Sequence, residues 1–142
     1  MAFAGFHIKR ILIIRVEHNS GLIQFITKIA EEAKITIATF TAIGALKNAK
    51  IAFYDQGKHE YQQMMLDAPY EIASCIGNVS MKNGKPFVHA HVVLADVDGH
   101  VKSGHLLEGV VFASEVHLYE LKGQKLERSY DEMTGLSLWN IS

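Results

Sequence analysis

Apolar residues recur along this chain in two rhythms, and together they outline one helix against many strands. Residues 8–16 are nearly continuous in Ile, Leu and Val, which reads as a first, well-buried strand. Asn19-Ser20 then offers an N-cap, and Leu22, Ile23, Phe25, Ile26, Ile29, Ala30 and Ala33 follow at the spacing of one helical face. Gln24, Thr27, Lys28, Glu31 and Glu32 fall largely on the outside, so this segment is an amphipathic helix packed on a sheet. After Lys34 the texture is β-rich: residues 35–43, then 49–55 with Gly44 near the bend, a less cleanly alternating stretch at 60–66, and 70–79. Asn83-Gly84 and Asp98-Gly99 are hairpin signals, because a type I′ turn needs positive φ at both central residues and glycine supplies it without steric cost. Residues 110–121 read as the longest late strand. The stretch carrying Leu126, Leu136, Leu138 and Trp139 reads as one or two edge strands, or as packing across a subunit. One principal helix on a large, mainly antiparallel sheet is an α+β architecture. No linker, repeat or low-complexity stretch divides the sequence, so residues 1–142 are read as a single domain.

The chemistry concentrates between the two hairpin signals. In Phe87-Val88-His89-Ala90-His91-Val92-Val93-Leu94-Ala95, strand alternation puts His89 and His91 on one face, about 6.5–7 Å apart along the strand. The opposite face carries Val88, Ala90, Val92 and Leu94, an apolar set suited to a core. Folding back at Asp98-Gly99 brings His105 toward that pair. Three neutral imidazoles are the ligand set of an open zinc site, whose fourth position is left for water or an anion. A closed site needs a fourth ligand. Cys75 is the only cysteine and lies elsewhere in an apolar run, whereas Glu108 is near enough in sequence to ligate or to hold a ligand ring. The competing reading is that the histidines are the polar face of a half-exposed strand.

Composition narrows the classes. Hydrophobic residues make up 49% of the chain, high for a small soluble monomer, so part of the apolar surface is expected to be covered by another copy. Lys and Arg number 14 against 15 Asp and Glu, giving a net charge of −1 without a long run of either sign. Such a balance offers no electrostatic case for DNA, whose binding draws on clustered cations. One cysteine excludes an intrachain disulfide and fits a reducing compartment; no segment reads as a signal peptide or membrane span, and a cytoplasmic location is expected. The run from Asp96 is not an EF-hand, because His100 and Leu107 stand where acidic ligands are needed. Ser114 and His117 face opposite ways on a strand, which argues against a nucleophile pair. Glu115 and His117 share a face and read as solvated. No glycine-rich phosphate loop is present.

Gly84 through Asp96, followed by Gly104-His105-Leu106-Leu107-Glu108-Gly109, resembles the PPC domain shared by plants and prokaryotes. The likeness runs nearly end to end. It takes in Arg15, Ile43-Gly44-Ala45-Leu46, Tyr70-Glu71 leading to Gly77-Asn78, and Ala113-Ser114-Glu115-Val116. The resemblance implies a compact α+β fold, a homotrimer and, as in prokaryotic members, a metal held by His89, His91 and His105. Plant relatives carry the domain beside AT-hook motifs, and prokaryotic members are often given a DNA-binding label on that basis. This chain has no Arg-Gly-Arg-Pro core, and its only prolines are Pro69 and Pro86. It also has Ser103-Gly104 where the family often has paired glycines, and Ser20-Gly21 where a Gly-Glu pair is common.

The expectation is a trimeric, cytoplasmic metal-binding protein, with zinc suited to the imidazole set and iron, nickel or copper also compatible. A small anion or carboxylate would take the open position. Any reaction would rest on Lewis-acid activation of water or of a carbonyl, with Glu108 or Glu71 as candidate general base. The alternative is a DNA-associated regulatory or interaction module in which the metal is structural.

Overall fold

The computed structural model describes residues 2–141. In chain order these form β1 (His7–Val16), α1 (Leu22–Glu32), β2 (Ala38–Asp55), β3 (Glu60–Leu66), β4 (Tyr70–Lys82), β5 (Lys85–Ala95), β6 (Val101–Lys122), β7 (Arg128–Asp131) and β8 (Leu136–Trp139). Every pairing between these strands is antiparallel, consistent with the α+β expectation. β2 pairs with β4, β4 with β5, β5 with β6, and β6 returns to β2. These four strands therefore close into a ring, and the sheet's remaining edges fall on β1 and β3. β1 adds to the distal half of β6 and β3 to the second half of β2.

Inside this ring lie Phe40, Leu46, Val79, Val92, Leu94, Val111, Val116 and Leu118, all buried. α1 covers the opening by packing on β5 and β6, with Leu22, Ile26 and Ala30 inward. The close approach of β2 to β6 depends on Gly44, whose φ is 136° and where an added Cβ would meet the Ala113 carbonyl oxygen at 2.2 Å.

Five local expectations change. β1 is not buried: Ile8, Ile11 and Ile13 face outward, Leu12 and Ile14 pack partly against the core, and only Val16 is buried. A mostly apolar run fits an outer strand equally well when its second face is left for another surface. The helix N-cap is Gly21 without a side-chain bond, because the Ser20 hydroxyl donates to the Glu17 carbonyl at 2.6 Å. Asn83 and Gly84 do adopt positive φ, 52° and 75°, as a type I′ turn requires, but at Asp98-Gly99 only Gly99 does, at 81°. There Gly99 N donates to the Asp96 carbonyl and Asp96 N to the His100 carbonyl, each at 3.0 Å, which describes a three-residue loop closed by a left-handed glycine. The Asp96 carboxylate accepts from the Asp98 and His100 amides and favours this longer loop. Beyond it, β6 runs unbroken for 22 residues rather than beginning at residue 110. The carboxyl-terminal stretch forms its own hairpin, β7–β8, instead of edging the main sheet. Among the described residues, no helix is long and apolar enough to cross a membrane.

Candidate metal centre

Strand alternation brings the three histidines together as the sequence anticipates. Val88, Ala90, Val92 and Leu94 are buried on the inner face of β5, so His89 and His91 project from the other face. The β5–β6 loop sets the register so that His91 stands directly opposite His105, while His89 lies opposite Asn78 of β4. The ring centroids are 5.2 Å apart for His89 and His91, 5.0 Å for His89 and His105, and 5.7 Å for His91 and His105. One nitrogen from each ring lies within 4.8 Å of the others. Gly104 holds β6 against β2 beside this cluster: a Cβ there would sit 2.7 Å from the Ala52 carbonyl oxygen. The departure from paired glycines therefore falls on Ser103, which lines the neighbouring cavity.

The electrostatics suit an ion. Burial, reinforced by the positive fields of His105, Arg128 and His91, pushes His89 down to about 4. Burial and then His91 lower His105 in the same direction. Both rings are therefore neutral at pH 7, the form that coordinates a metal. Nδ1 of His105 is buried without a hydrogen-bond partner. An orphaned polar atom costs about 1–3 kcal/mol, and coordination removes that penalty. The donor set, its closeness and this unpartnered nitrogen together fit a transition-metal ion such as zinc.

The cluster opens into a cavity of about 660 Å³ walled by Phe53, Tyr54, Tyr61, Ile76, Val93 and Leu136, with a second lobe of about 260 Å³ that shares Tyr61, His89, His105 and Leu136. The Tyr61 ring lies 5.2 Å from His105, and the Tyr54 hydroxyl donates to the Thr134 carbonyl at 2.6 Å, tying the turn of the β7–β8 hairpin beside the cavity. Neither lobe is lined by Asp or Glu. Glu108 points away, exposed and 3.8 Å from Lys50, and Glu71 is exposed at the far end of β4. Neither reaches the centre as base, fourth ligand or support. Asp96, Asp98 and His100 also converge, but Asp98 and His100 are exposed, and the Asp96 carboxylate is engaged within its own loop. Sequence reasoning missed Tyr61, Arg128 and Leu136, which reach the cavity from β3, β7 and β8. The available signal was the hairpin-like flanking of Gly135 by two short β-prone segments.

A closed antiparallel sheet that hangs three imidazoles over an acid-free cavity defines a small α+β protein with a three-histidine cluster. The chain belongs to the Plants and Prokaryotes Conserved (PCC) domain family, also abbreviated PPC, whose profile matches residues 4–122. It is similar to a metal-containing protein of Archaeoglobus fulgidus, with 44% identity, TM-score 0.96 and 99% of both chains covered. It is also similar to a plant- and prokaryote-conserved protein of Pyrococcus horikoshii, with 43% identity, TM-score 0.94, and 99% and 97% of the two chains covered. No curated protein matches the sequence.

Proposed function

We propose that this chain is a homotrimeric metal-binding protein in which His89, His91 and His105 hold zinc and leave a position open to a small anion. The observation that carries the reading is the convergence of the three rings, each offering a nitrogen within 4.8 Å of the other two, together with the unpartnered Nδ1 of His105. The metal content named for the Archaeoglobus relative supports it. The adjoining cavity favours an ion that meets a ligand over one that only ties strands together, because the four ring strands already pair without it. When bound, zinc supplies Lewis acidity and lowers the pKa of a coordinated water. The chain's own residues shape what enters: Tyr61 and Leu136 wall the space beside the histidines.

The trimer rests on the family resemblance and on an outward apolar face. Ile13 and Ile76 lie in one cross-strand row with Thr41 and His117, and Ile43 and Phe112 are exposed nearby. The deciding experiment is elemental analysis of untagged protein beside His89→Ala, His91→Ala and His105→Ala. One metal per chain that falls below a tenth in each variant is expected; unchanged metal across all three removes the assignment.

A further inference from the structure

The smaller lobe behind His89 carries positive charge that the metal centre does not need. Arg128 of β7 and Lys82 of β4 both line it, and neither forms an ion pair with a carboxylate among the described residues. A half-buried guanidinium without a counter-charge is costly to keep, and proteins ordinarily pair it. Here it is held rigidly instead. Nε donates to the Ser80 hydroxyl at 2.8 Å, Nη1 to the Ser137 carbonyl at 2.9 Å and Nη2 to the Asn78 side-chain oxygen at 3.0 Å. The ring centroids of Phe87 and Trp139 stand 5.4 and 5.2 Å from its central carbon, so its faces are covered by aromatic rings that position the charge without neutralising it. Three of the five guanidinium N–H groups are thereby engaged. One on each terminal nitrogen remains without a protein acceptor among the described residues. The Lys82 ammonium stands 5.1 Å from the centroid of the same Phe87 ring.

We infer that Arg128 and Lys82 form the second half of a ligand site, and that the ligand is a short-chain dicarboxylate. This rests on the metal reading: one carboxylate belongs at the histidine cluster, and the other at the guanidinium. Two free N–H groups on adjacent nitrogens match the two oxygens of a carboxylate. The absence of any acidic side chain in either lobe leaves the combined positive charge for the ligand to balance. Phe87, Leu136 and Leu138 supply apolar walls for a carbon skeleton between the two ends. Arg128 lies beyond the segment matched by the family profile, so the ligand's second anchor comes from the carboxyl-terminal hairpin.

The test is calorimetric titration of the full chain, loaded with cobalt(II), with malonate, succinate and glutarate against acetate, propionate and butyrate. The cobalt absorption spectrum provides a second readout. The best dicarboxylate should bind about 10-fold or more tightly than its monocarboxylate counterpart, the value of one charge-assisted pair. Arg128→Gln should abolish that preference while keeping cobalt stoichiometry, and Lys82→Gln, which disturbs none of the hairpin's hydrogen bonds, should reduce it about 3-fold. Equal binding of both classes by the wild type, or a preference left intact in Arg128→Gln or in Lys82→Gln, overturns the ligand assignment. A wild type that takes up no cobalt overturns the metal reading instead, and elemental analysis shows this before any carboxylate is added.

Discussion

His91 and His105 are direct cross-strand partners beside the β5–β6 loop, and their ring centroids stand 5.7 Å apart. Neither side chain takes part in the core, so each can be removed without opening a buried apolar cavity. His105→Ala should weaken metal binding by at least about 10-fold, while the stability of the metal-free chain stays within about 1 kcal/mol of wild type. Paired metal titration and urea unfolding check both halves. A large loss of metal-free stability would make His105 a structural residue first.

Acid should destabilise the metal-free protein. Burial holds His89 near 4 in the folded chain, against 6.5 for an unperturbed ring. Between these values the unfolded chain binds a proton that the folded chain refuses, so stability rises with pH there and is lost as pH falls from about 6.5 toward 4. Allowing for solvent screening of this half-exposed ring, the loss is about 1–2 kcal/mol. Unfolding at pH 7 and pH 4.5 measures it, and His89→Gln should flatten this part of the profile.

A substitution that touches no histidine should also damage the centre. Gly77 pairs with Ala90, next to His89, and an added Cβ would meet Cζ of Phe40 at 2.2 Å and the His89 carbonyl oxygen at 2.7 Å. Gly77→Ala should cost about 2–3 kcal/mol through overpacking. It should also lower metal affinity, because β5 must shift away from β4 to admit the methyl group. Stability and metal content measured on one preparation test the pair of effects; full metal affinity at reduced stability would show that β5 keeps its place.

On the outer face, Ile11 and Ile13 of β1 are 51% and 71% exposed, so charging them tests assembly rather than folding. The double variant Ile11→Lys with Ile13→Lys should convert the expected trimer to monomer, with thermal stability of the monomer changed by no more than about 1 kcal/mol. Light scattering gives the answer directly. A monomeric wild type at micromolar concentration would end the trimer proposal.

Alternation made half of the site legible in the sequence. His89 and His91 were readable as one strand face because Val88, Ala90, Val92 and Leu94 define the other, and the following turn signal placed His105 nearby. The exact loop was not readable, since the Asp96 carboxylate decides between a two-residue and a three-residue connection through contacts that a dipeptide motif does not encode. The outward aspect of β1 was hidden for a different reason: an apolar face waiting for another surface has the same composition as a buried one. Arg128 lies 37 residues beyond His91 in sequence, and only ring closure together with its bonds to Ser80 and Asn78 of β4 brings it to the site. No local pattern carries information of that range.

β6 serves two masters along its length: residues 114–122 carry β1, and His105 lies toward the other end. All three register shifts between β6 and β2 fall in the stretch between these two parts, at residues 105–113. Bulges of this kind take up a local change in pairing without passing it along the strand. Along β6 the outer face is thus insulated from His105, whereas across the strands the same row runs through Ile76 straight to its partner His91. A change on β1 therefore has three strands between it and the imidazoles along that row, while a change at Ile76 meets them directly.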